Sequence, residues 1–468
     1  MLSPFDFDAL RAREFSRLDV QAIAYLDYAA AALYGRSQVD ACAERLARTV
    51  YGNPHSTHTP SLASMSDVAH AKAATLDFLD ADPALYEVCL TANTSAALKL
   101  VAESYPFDGT RPLVLSADNH NSVNGAREFA RAKGAAIVTL PLDAELRLDR
   151  PDARLAAIAG AHGAGLLAFP LQSNFSGVKH DPGLISTAQS LGYDVLLDAA
   201  AAGVAGGFSL RDYPVEFLAL AYYKLFGLPS GMGALVAKRS ALARLKRPWF
   251  AGGTVDFVSV AHDRHRLHDG HHGFEDGTPN FLDAGAVVAG FEFIKRIPRA
   301  QLQDRLADLG SRFLGQAAAM RHPNGAPMVK VYGPRGWQAR GAIVAFNLLR
   351  PDGATVPFGV VEIHCKAAGV AVRGGCFCNP GAAEQAFGLA GPGVAPCLDR
   401  LGAHFTIPAF QDCLGPATPV GALRMSLGLP STHADVDRLL VAIEKFFSEN
   451  ALPATDELCY SSPPREIG

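Results

Sequence analysis

Two charged residues close apolar stretches of the sequence in a way that suggests a reaction site. Asp198 ends Tyr193-Asp-Val-Leu-Leu-Asp198, and Lys224 lies within Phe217-Leu-Ala-Leu-Ala-Tyr-Tyr-Lys-Leu-Phe-Gly227. We predict that both stretches are strands of an open α/β sheet, whose carboxyl ends face the ligand crevice. A lysine there is expected to be buried, and buried lysines readily become the neutral amine that forms a Schiff base with an aldehyde.

The pair of residues favours one cofactor. Pyridoxal phosphate needs an imine-forming amine and an anion that keeps its ring nitrogen protonated, and Lys224 and Asp198 are of the required types. The simpler alternatives are a capping or loop role for Asp198 and a lysine whose stem follows a strand edge into water. The two residues together favour the cofactor over these alternatives.

A phosphate site is expected at a strand-to-helix turn, where free N–H groups and the positive end of the helix dipole meet. Asn93, Thr94 and Ser95 follow the apolar run Tyr86-Glu-Val-Cys-Leu90 and begin a predicted helix, so their side chains could bind an anion. Serine and threonine at helix starts also serve as ordinary caps. Alone, this segment is a weak signal.

Two cysteines lie in a glycine-rich segment, Arg373-Gly-Gly-Cys-Phe-Cys378-Asn-Pro-Gly381. The glycines and the Pro-Gly turn predict an exposed, mobile loop. An exposed thiol near Arg373 is a candidate nucleophile. Free cysteines are more often small buried apolar residues, and that alternative stays open, above all for Cys376.

The remaining sequence supplies elements that would position these side chains. From about residue 86, short aliphatic runs alternate with alanine-rich helical stretches, which is typical of a doubly wound, mostly parallel α/β sheet. A smaller α+β domain with a strand near 341–347 is expected after the segment 274–283. The main strands are predicted at 86–90, 112–116, 136–140, 165–169, 195–197, 217–221 and 233–236. Helices are predicted at 94–103, 123–133, 284–297, 299–320 and about 433–450.

Composition excludes several classes of protein. The 468 residues include 42 Lys and Arg against 46 Asp and Glu, a net charge of −4 that offers no bulk attraction to nucleic acid or to an anionic membrane. Charged residues make up only 19%, which suggests extensive buried surface and a homo-oligomer. Eight cysteines are too few for a disulfide scaffold and favour a reducing compartment. No apolar run approaches the roughly 18 residues of a membrane span, and residues 1–20 lack targeting features, so we predict a cytoplasmic protein.

Several motifs along nearly the whole chain carry a resemblance to a known family. The chain resembles the fold-type I pyridoxal-phosphate enzymes of the class V aminotransferase group, and within it the N-terminal cysteine desulfurase domain of molybdenum cofactor sulfurases. The matching stretches are Leu10-Arg-Ala-Arg-Glu-Phe-Ser-Arg-Leu18, Tyr25-Leu-Asp-Tyr28, Asp118-Asn-His-Asn-Ser-Val123, Gln172-Ser-Asn-Phe-Ser-Gly177, Tyr223-Lys-Leu-Phe-Gly227, Phe274-Glu-Asp-Gly-Thr278 and Gly375-Cys-Phe-Cys-Asn-Pro-Gly381.

The resemblance implies an α/β fold of fold-type I, with a mostly parallel seven-stranded sheet in a large domain and a smaller α+β domain. We expect residues 1–25 to pack with the small domain, 26–290 to bind the cofactor, 291–452 to carry the cysteine loop and 453–468 to form a flexible tail. It also implies a homodimer, in which Gly252, Gly253 and Thr254 reach the neighbour's phosphate.

The resemblance assigns roles around the cofactor and the substrate. Lys224 would form the Schiff base, Asp198 would pair with the ring nitrogen, and His120 would stack on the ring. Thr94 and Ser95 would bind the phosphate, and Asn174 would lie near the ring hydroxyl or the substrate. Arg424 would hold the substrate carboxylate, and Arg373 is a second candidate for binding the substrate. Cys378 would carry the persulfide. Cys376 would resolve the persulfide or only fill space.

Some positions depart from the family or suggest another site. Ala201 stands where cysteine desulfurases often have a glutamine that touches the ring hydroxyl, and Tyr223 stands where a histidine commonly precedes the lysine. Five histidines between His262 and His272 could form a metal tract, but interleaved Asp and Arg suggest a polar, flexible segment. His55 and His58 also have ligand-like spacing, in a stretch that resembles a family loop at the active-site mouth. We predict no metal.

Three functions remain at this point. The first is a cysteine desulfurase that converts L-cysteine to L-alanine and passes sulfur, as a Cys378 persulfide, to a separate acceptor protein or small molecule. The second is a pyridoxal-phosphate β-lyase, epimerase or aminotransferase that acts on another amino acid in a specialised pathway. The third is a non-enzymatic binding scaffold or metal protein. The cysteine loop favours the first.

Overall fold

The computed structural model describes residues 5–415 and 418–449. Its helices are α1 (Phe7–Glu14), α2 (Arg17–Val20), α3 (Arg36–Arg48), α4 (Thr59–Phe78), α5 (Thr94–Ser104), α6 (Asn121–Asn124), α7 (Ala126–Ala132), α8 (Pro151–His162), α9 (Gly183–Ser190), α10 (Tyr222–Phe226), α11 (Arg239–Leu242), α12 (Phe281–Lys295), α13 (Arg299–Ala319), α14 (Phe358–Ala367), α15 (Pro380–Phe387), α16 (Val394–Leu401), α17 (Ile407–Leu414) and α18 (His433–Glu449).

The strands are β1 (Ala24–Tyr25), β2 (Tyr86–Thr91), β3 (Leu113–Ser116), β4 (Ile137–Leu140), β5 (Leu166–Pro170), β6 (Asp194–Asp198), β7 (Phe217–Ala221), β8 (Gly233–Lys238), β9 (Val255–Ser259), β10 (Arg264–Leu267), β11 (Val329–Tyr332), β12 (Ile343–Leu348), β13 (Val370–Ala371), β14 (Arg373–Gly375) and β15 (Ala422–Ser426).

Seven strands form the main sheet in the order β2-β8-β7-β6-β5-β3-β4. Strands β7, β6, β5, β3 and β4 pair in parallel, whereas β8 is antiparallel to both β2 and β7. The predicted α/β fold with a mostly parallel seven-stranded sheet is therefore confirmed. Because only β8 runs against the others, the carboxyl ends of the six remaining strands lie along one edge of the sheet.

Both faces of this sheet are buried, which explains the uninterrupted apolar runs of its strands. In β6, Val195 and Leu197 belong to one hydrophobic cluster, while Leu196 between them belongs to another on the opposite face. Side chains alternate across a strand, so the clusters cover the two faces of one sheet. This burial leaves polar side chains mainly at the strand ends, where the predicted site lies.

A second sheet of four antiparallel strands has the order β11-β12-β15-β14. Strand β1 near the N terminus pairs with β13, and the Arg11 guanidinium of α1 bonds Asp435 of α18 at 2.7 Å. The N-terminal segment is thus attached to elements far along the chain.

The predicted domain boundary at residue 290 falls within α12. The proposed division into domains stays a prediction, and the tail at 453–468 lies outside the described residues.

All seven predicted strands of the main sheet are present, but two local predictions were wrong. The helix expected at 123–133 is broken into α6 and α7, with Gly125 between them. Lys224 does not end a strand: it lies in the short helix α10, which follows β7 directly and ends at Gly227. Gly227 has a φ of +83°, and a Cβ there would stand 2.3 Å from the Tyr34 nitrogen, so this sharp end to the helix favours glycine.

Cysteine pairing also differs from expectation. Cys397 of α16 and Cys413 of α17 form a disulfide, which a sequence that favours a reducing compartment did not predict. The two cysteines meet because α16 packs against α17, which sequence spacing alone does not reveal.

Among residues 5–415 and 418–449, none of the helices combines the length and the apolar character that crossing a bilayer requires.

Candidate active site

The sheet edge brings the predicted cofactor residues to one cavity of about 370 Å³. Those that line the cavity lie at or just after the ends of five strands, as expected for ligand sites of open α/β sheets. The lining includes six residues named from the sequence: Thr94, Ser95, His120, Asn174, Asp198 and Lys224. Gln172, which the sequence analysis did not single out, lines the same cavity and donates from Nε2 to the Ala201 carbonyl at 3.0 Å.

Lys224 is held inside the protein by its short helix. The neighbouring Tyr222 is fully buried, and its hydroxyl lies 2.8 Å from the Thr75 hydroxyl of α4, which anchors α10 to the core. Burial lowers the pKa of Lys224, while Asp198 opposes that shift and Arg424 adds to it. A larger fraction of the amine is therefore neutral near pH 7 than in a lysine exposed to water.

Asp198 and His120 face the same cavity from two strand ends. Asp198 is buried, and its Oδ1 accepts from the Ala200 N–H at 2.9 Å. His120 caps α6, with Nδ1 accepting from the Ser122 N–H at 3.1 Å. Burial lowers the pKa of His120, Asp198 opposes this shift, and Lys224 adds to it. A neutral imidazole is the form best suited to lie flat against an aromatic ring in a dry site.

The end of the cavity at α5 suits a phosphate group. The Thr94 hydroxyl is buried and has no hydrogen-bond partner among the described residues. Ser95 and Ser122 meet with their hydroxyl oxygens 2.5 Å apart, and Asn93 caps the helix by accepting from the Ala96 N–H. An unpartnered buried hydroxyl costs free energy, and an anion at the N terminus of α5 would satisfy it. The donor set therefore fits the phosphate of the predicted cofactor.

Asp27 joins the two predicted substrate arginines. Its carboxylate accepts from Arg373 at 2.7 Å and from Arg424 at 3.1 Å. Arg424 is buried; it also donates to the Asn174 carbonyl at 3.0 Å, while its Nε has no partner among residues 5–415 and 418–449. Two cations share one anion, so the group keeps a net positive charge and a free donor. This arrangement suits one more carboxylate.

The cysteine loop is held rather than free. Asn174 donates from Nδ2 to the Phe377 carbonyl at 2.7 Å, and the Asn121 N–H donates to the Cys378 carbonyl at 2.8 Å. Asn379, fully buried, donates to the Asn174 Oδ1 at 2.8 Å and to the Asp118 carbonyl at 2.7 Å. Asn174, predicted to approach the ring or the substrate, uses its side-chain amide here to hold this loop to the cavity wall.

Phe377 and Cys378 both have left-handed backbones, with φ values of +57° and +55°. Such conformations are costly for residues other than glycine and persist only where the surroundings impose them. Cys378 is exposed, as predicted, whereas Phe377 is buried beneath the Arg424 guanidinium, 4.7 Å from its ring centre. The surroundings therefore fix the backbone of the loop at Phe377 and Cys378, while the Cys378 side chain stays exposed. The charge of Cys378 also acts on the pKa of Lys224.

The second cysteine of the loop has a different environment. Cys376 is half-buried, and its thiol donates to the Val420 carbonyl at 3.1 Å. Burial raises the pKa of Cys376 to about 11. At neutral pH this residue is a thiol rather than a thiolate, which makes Cys376 a poor nucleophile.

The glycine-rich segment predicted to serve a neighbouring subunit does not line the cofactor cavity of its own chain. Thr254 is fully buried, and its hydroxyl bonds the backbone N–H and carbonyl of Ala251, each at 2.9 Å. The Gly252 carbonyl accepts from the Gly277 N–H. The role of Gly252, Gly253 and Thr254 toward a partner stays a prediction.

The histidine tract divides into separate contacts. His268 pairs with Asp256, and His265 packs against Phe250. In the described part of the chain, one group has potential metal-ligand atoms within 4.8 Å of one another, formed by His271, His272 and Glu275. The Glu275 carboxylate already binds the Lys72 ammonium at 2.8 Å and the Leu90 N–H. The prediction of no metal remains untested.

The structure adds three residues that sequence reasoning missed as parts of the site. Asp27 lies in the Tyr25-Leu-Asp-Tyr28 motif, Asn379 follows Cys378 directly, and Gln172 opens the motif that contains Asn174. The signal available in the sequence was that each of the three lies within a motif that carries the resemblance to the family. Their partners lie up to 397 residues away in sequence, so no spacing rule identifies the contacts.

The comparisons agree with the class of protein that this sheet and site define, an α/β enzyme of fold-type I. Two solved structures share the fold. A cysteine desulfurase from Thermococcus onnurineus NA1 matches with a TM-score of 0.78 and 22% identity, over 96% of this chain and 100% of that chain. The cysteine desulfurase CsdA from Escherichia coli matches with a TM-score of 0.75 and 22% identity, over 95% of this chain and 99% of that chain. Residues 24–439 match the family model described as Aminotransferase class-V. The chain belongs to this family of pyridoxal-phosphate-dependent enzymes.

Curated relatives include molybdenum cofactor sulfurases. Those of Solanum lycopersicum and Drosophila melanogaster are each 34% identical to this chain, over 95% and 91% of its length. In both cases the match covers 58% of the relative, so this chain spans a little over half of these proteins.

Proposed function

We propose that the protein is a pyridoxal-phosphate-dependent cysteine desulfurase that converts L-cysteine to L-alanine and carries the sulfur on Cys378. The observation that carries this proposal is the connection between two parts of the site. Asn174 lines the Lys224–Asp198 cavity and also holds the backbone of the Cys378 loop. The similarity to molybdenum cofactor sulfurases and to cysteine desulfurase structures supports the same reaction.

Five residues would hold the cofactor. Lys224 would bind its aldehyde carbon, Asp198 its ring nitrogen and His120 its ring face, while Thr94 and Ser95 would bind its phosphate. When bound, the cofactor supplies an electron sink for the bonds at the substrate α-carbon. The buried carboxylate of Asp198 serves that chemistry by keeping the ring nitrogen protonated.

The remaining residues act on the substrate. Arg424, fixed by Asp27 and the Asn174 carbonyl, would bind the carboxylate of L-cysteine. The Lys224 amine would accept the α-proton as a general base, because its lowered pKa leaves the amine free to take one up. The Cys378 thiolate would then attack the substrate sulfur.

The sulfur step balances without any further reactant. A bond forms between the Cys378 Sγ and the substrate sulfur, and the carbon–sulfur bond of the substrate breaks. The electron pair of the broken bond stays with the carbon, which takes up a proton, so the products are L-alanine and a Cys378 persulfide. An acceptor protein or small molecule would remove the sulfur in a later step.

We also propose a homodimer. Large apolar side chains are exposed on α4 (Leu62, Met65) and around the glycine-rich segment (Trp249, Phe250, Phe257), which is typical of a surface that another subunit covers. A dimer formed there would bring Gly252 to Thr254 toward the neighbour's phosphate site. The cytoplasmic location stays a prediction that rests on composition.

The proposed reaction predicts a specific defect for Cys378→Ala. The variant should retain the absorbance of the bound cofactor but should no longer form L-alanine and persulfide from L-cysteine. Cys42→Ala is the matched control, since Cys42 is a half-buried free cysteine of α3. Unchanged turnover of Cys378→Ala would remove this residue from the reaction, and pyruvate, ammonia and hydrogen sulfide in place of L-alanine would identify a β-lyase instead.

A further inference from the structure

A second cavity, of about 420 Å³, adjoins the candidate active site. Its walls come from the chain after β1, from α12 and α13, and from the segments that precede β12 and follow β15. Gln172, Ala201 and Lys224 line both cavities and so form their common wall. The volume lies within the range of small-molecule sites, about 300 to 1,000 Å³.

One part of this second cavity is apolar. Leu33, Phe226, Phe293 and Leu302 contribute aliphatic and aromatic surface. Trp337 also lines it and packs on α13 at Gly310, where an added Cβ would stand 1.8 Å from the indole ring. The position of the indole thus depends on a glycine across from it. These walls suit a ligand with an apolar or aromatic body.

Besides the Lys224 of the active site, two cations line the same cavity without an acidic partner. Arg340 is only 2% exposed, and it donates to the carbonyls of Tyr332, Pro334 and Ile343. Lys179 is half-buried, and its amine has no hydrogen-bond or ion-pair partner among the described residues. In residues 5–415 and 418–449, no carboxylate comes within 4.0 Å of either cation, although the exposed Asp304 also lines the cavity.

The electrostatic cost of this arrangement points to an anion. Burial lowers the pKa of Lys179, and burial together with Arg147 lowers the pKa of Arg340 to about 10. Both shifts mean that the charged forms are destabilised where they stand. A positive charge that burial partly removes from water is less stable unless it is paired, and a bound anion would offset that cost. The Arg340 donors are largely used by carbonyls, which leaves Lys179 as the direct partner for an anion.

We propose that this cavity binds a small molecule with an apolar or aromatic body and one anionic group, a carboxylate or a phosphate, held by Lys179. The site differs from the ones already assigned, because the substrate carboxylate belongs to Arg424 and the cofactor phosphate to Thr94 and Ser95. It goes beyond the proposed function and does not depend on which amino acid the enzyme converts.

The test is calorimetric titration of the cofactor-loaded protein with phenyl phosphate and with benzoate. Cofactor loading occupies the other phosphate site. At least one probe should bind once per chain, whereas phenol and inorganic phosphate, which each lack one half of the probe, should bind at least tenfold more weakly, as expected when a charge-assisted hydrogen bond or the apolar contacts are lost. The tighter of the two probes identifies the anionic group.

Variants separate the two parts of the site. Lys179→Met should weaken binding about tenfold or more, Lys179→Arg should retain it, and the exposed Lys330→Met is the control. Ala307→Phe, on α13, should block the apolar part while leaving the charges in place. The proposal fails if neither probe saturates the protein, if Lys179→Met binds as the parent does, or if phenol binds as tightly as phenyl phosphate. None of these outcomes depends on desulfurase activity, so this test and that of Cys378→Ala can fail separately.

Discussion

Replacement of Asn379 by alanine tests whether the cysteine loop is positioned by its buried amide. Asn379→Ala removes two donated hydrogen bonds, to Asp118 and Asn174, and one accepted from the Ala382 N–H at 3.2 Å. At about 1 kcal/mol net for each bond, the loop loses about 3 kcal/mol of support. Holding Phe377 and Cys378 in left-handed conformations costs about 1 to 3 kcal/mol for each residue. The loop should therefore relax.

A relaxed loop should lower the rate of catalysis without lowering the accessibility of the Cys378 thiol. Because 1.4 kcal/mol corresponds to a tenfold change in rate, we expect kcat for L-alanine formation to fall between about tenfold and a hundredfold. The rate at which iodoacetamide alkylates Cys378 should stay the same or rise, since the thiol remains exposed, and the absorbance of the bound cofactor should not change. Asn324→Ala, which removes a surface hydrogen bond to the Pro351 carbonyl, is the control. Unchanged kcat in Asn379→Ala, or alkylation that falls in parallel with kcat, would refute this role for Asn379.

Three further predictions concern the substrate, the phosphate and the thiols. Asp27→Asn should lower the melting temperature, because it leaves the buried Arg424 without its counter-ion, and should raise the KM for L-cysteine about tenfold, because the Arg424 guanidinium loses the carboxylate that fixes its position; an unchanged KM would contradict this. Thr94→Val should weaken cofactor binding about tenfold or more without lowering the stability of the cofactor-free protein, as it removes a buried hydroxyl that only the phosphate satisfies; fluorescence titration and thermal melting measure the two effects. At pH 8 iodoacetamide should label Cys378 before Cys376, and labelling of Cys376 should accelerate as the pH approaches about 11, because its raised pKa leaves little thiolate below that value. Peptide mass spectrometry distinguishes the two sites, and equal labelling at pH 8 would count against the environment described for Cys376.

Local sequence pattern was sufficient for the main sheet. Each of its strands is an apolar run bounded by turn residues, and burial on both faces explains why the runs are uninterrupted. The same pattern misled at Lys224. Apart from Lys224, Tyr222 to Phe226 continue the apolar run of β7, but they form a helix, and a segment of five residues is too short to show a periodicity that separates helix from strand. Gly227 correctly marks the end of the element, whichever type it is.

The parts of the site that could not be predicted are long-range contacts between polar groups. Asp27 and Arg424 meet across 397 residues, and Asn379 and Asn174 across 205. A sequence shows the residue types but not which of many buried carboxylates and amides become partners, since that depends on how the two sheets are arranged. Glycines on either side of the cysteines predicted an exposed, mobile loop, and Cys378 is exposed, but hydrogen bonds between the loop, Asn379 included, and residues outside the motif hold its backbone.

The most direct test of the account is the identity of the residue that binds the cofactor. The protein loaded with pyridoxal phosphate should be reduced with borohydride and digested, and its peptides should be analysed by mass spectrometry. We predict a single pyridoxyl adduct on the peptide that contains Lys224, and no adduct in Lys224→Ala. An adduct on another lysine, or none at all, would contradict the central claim.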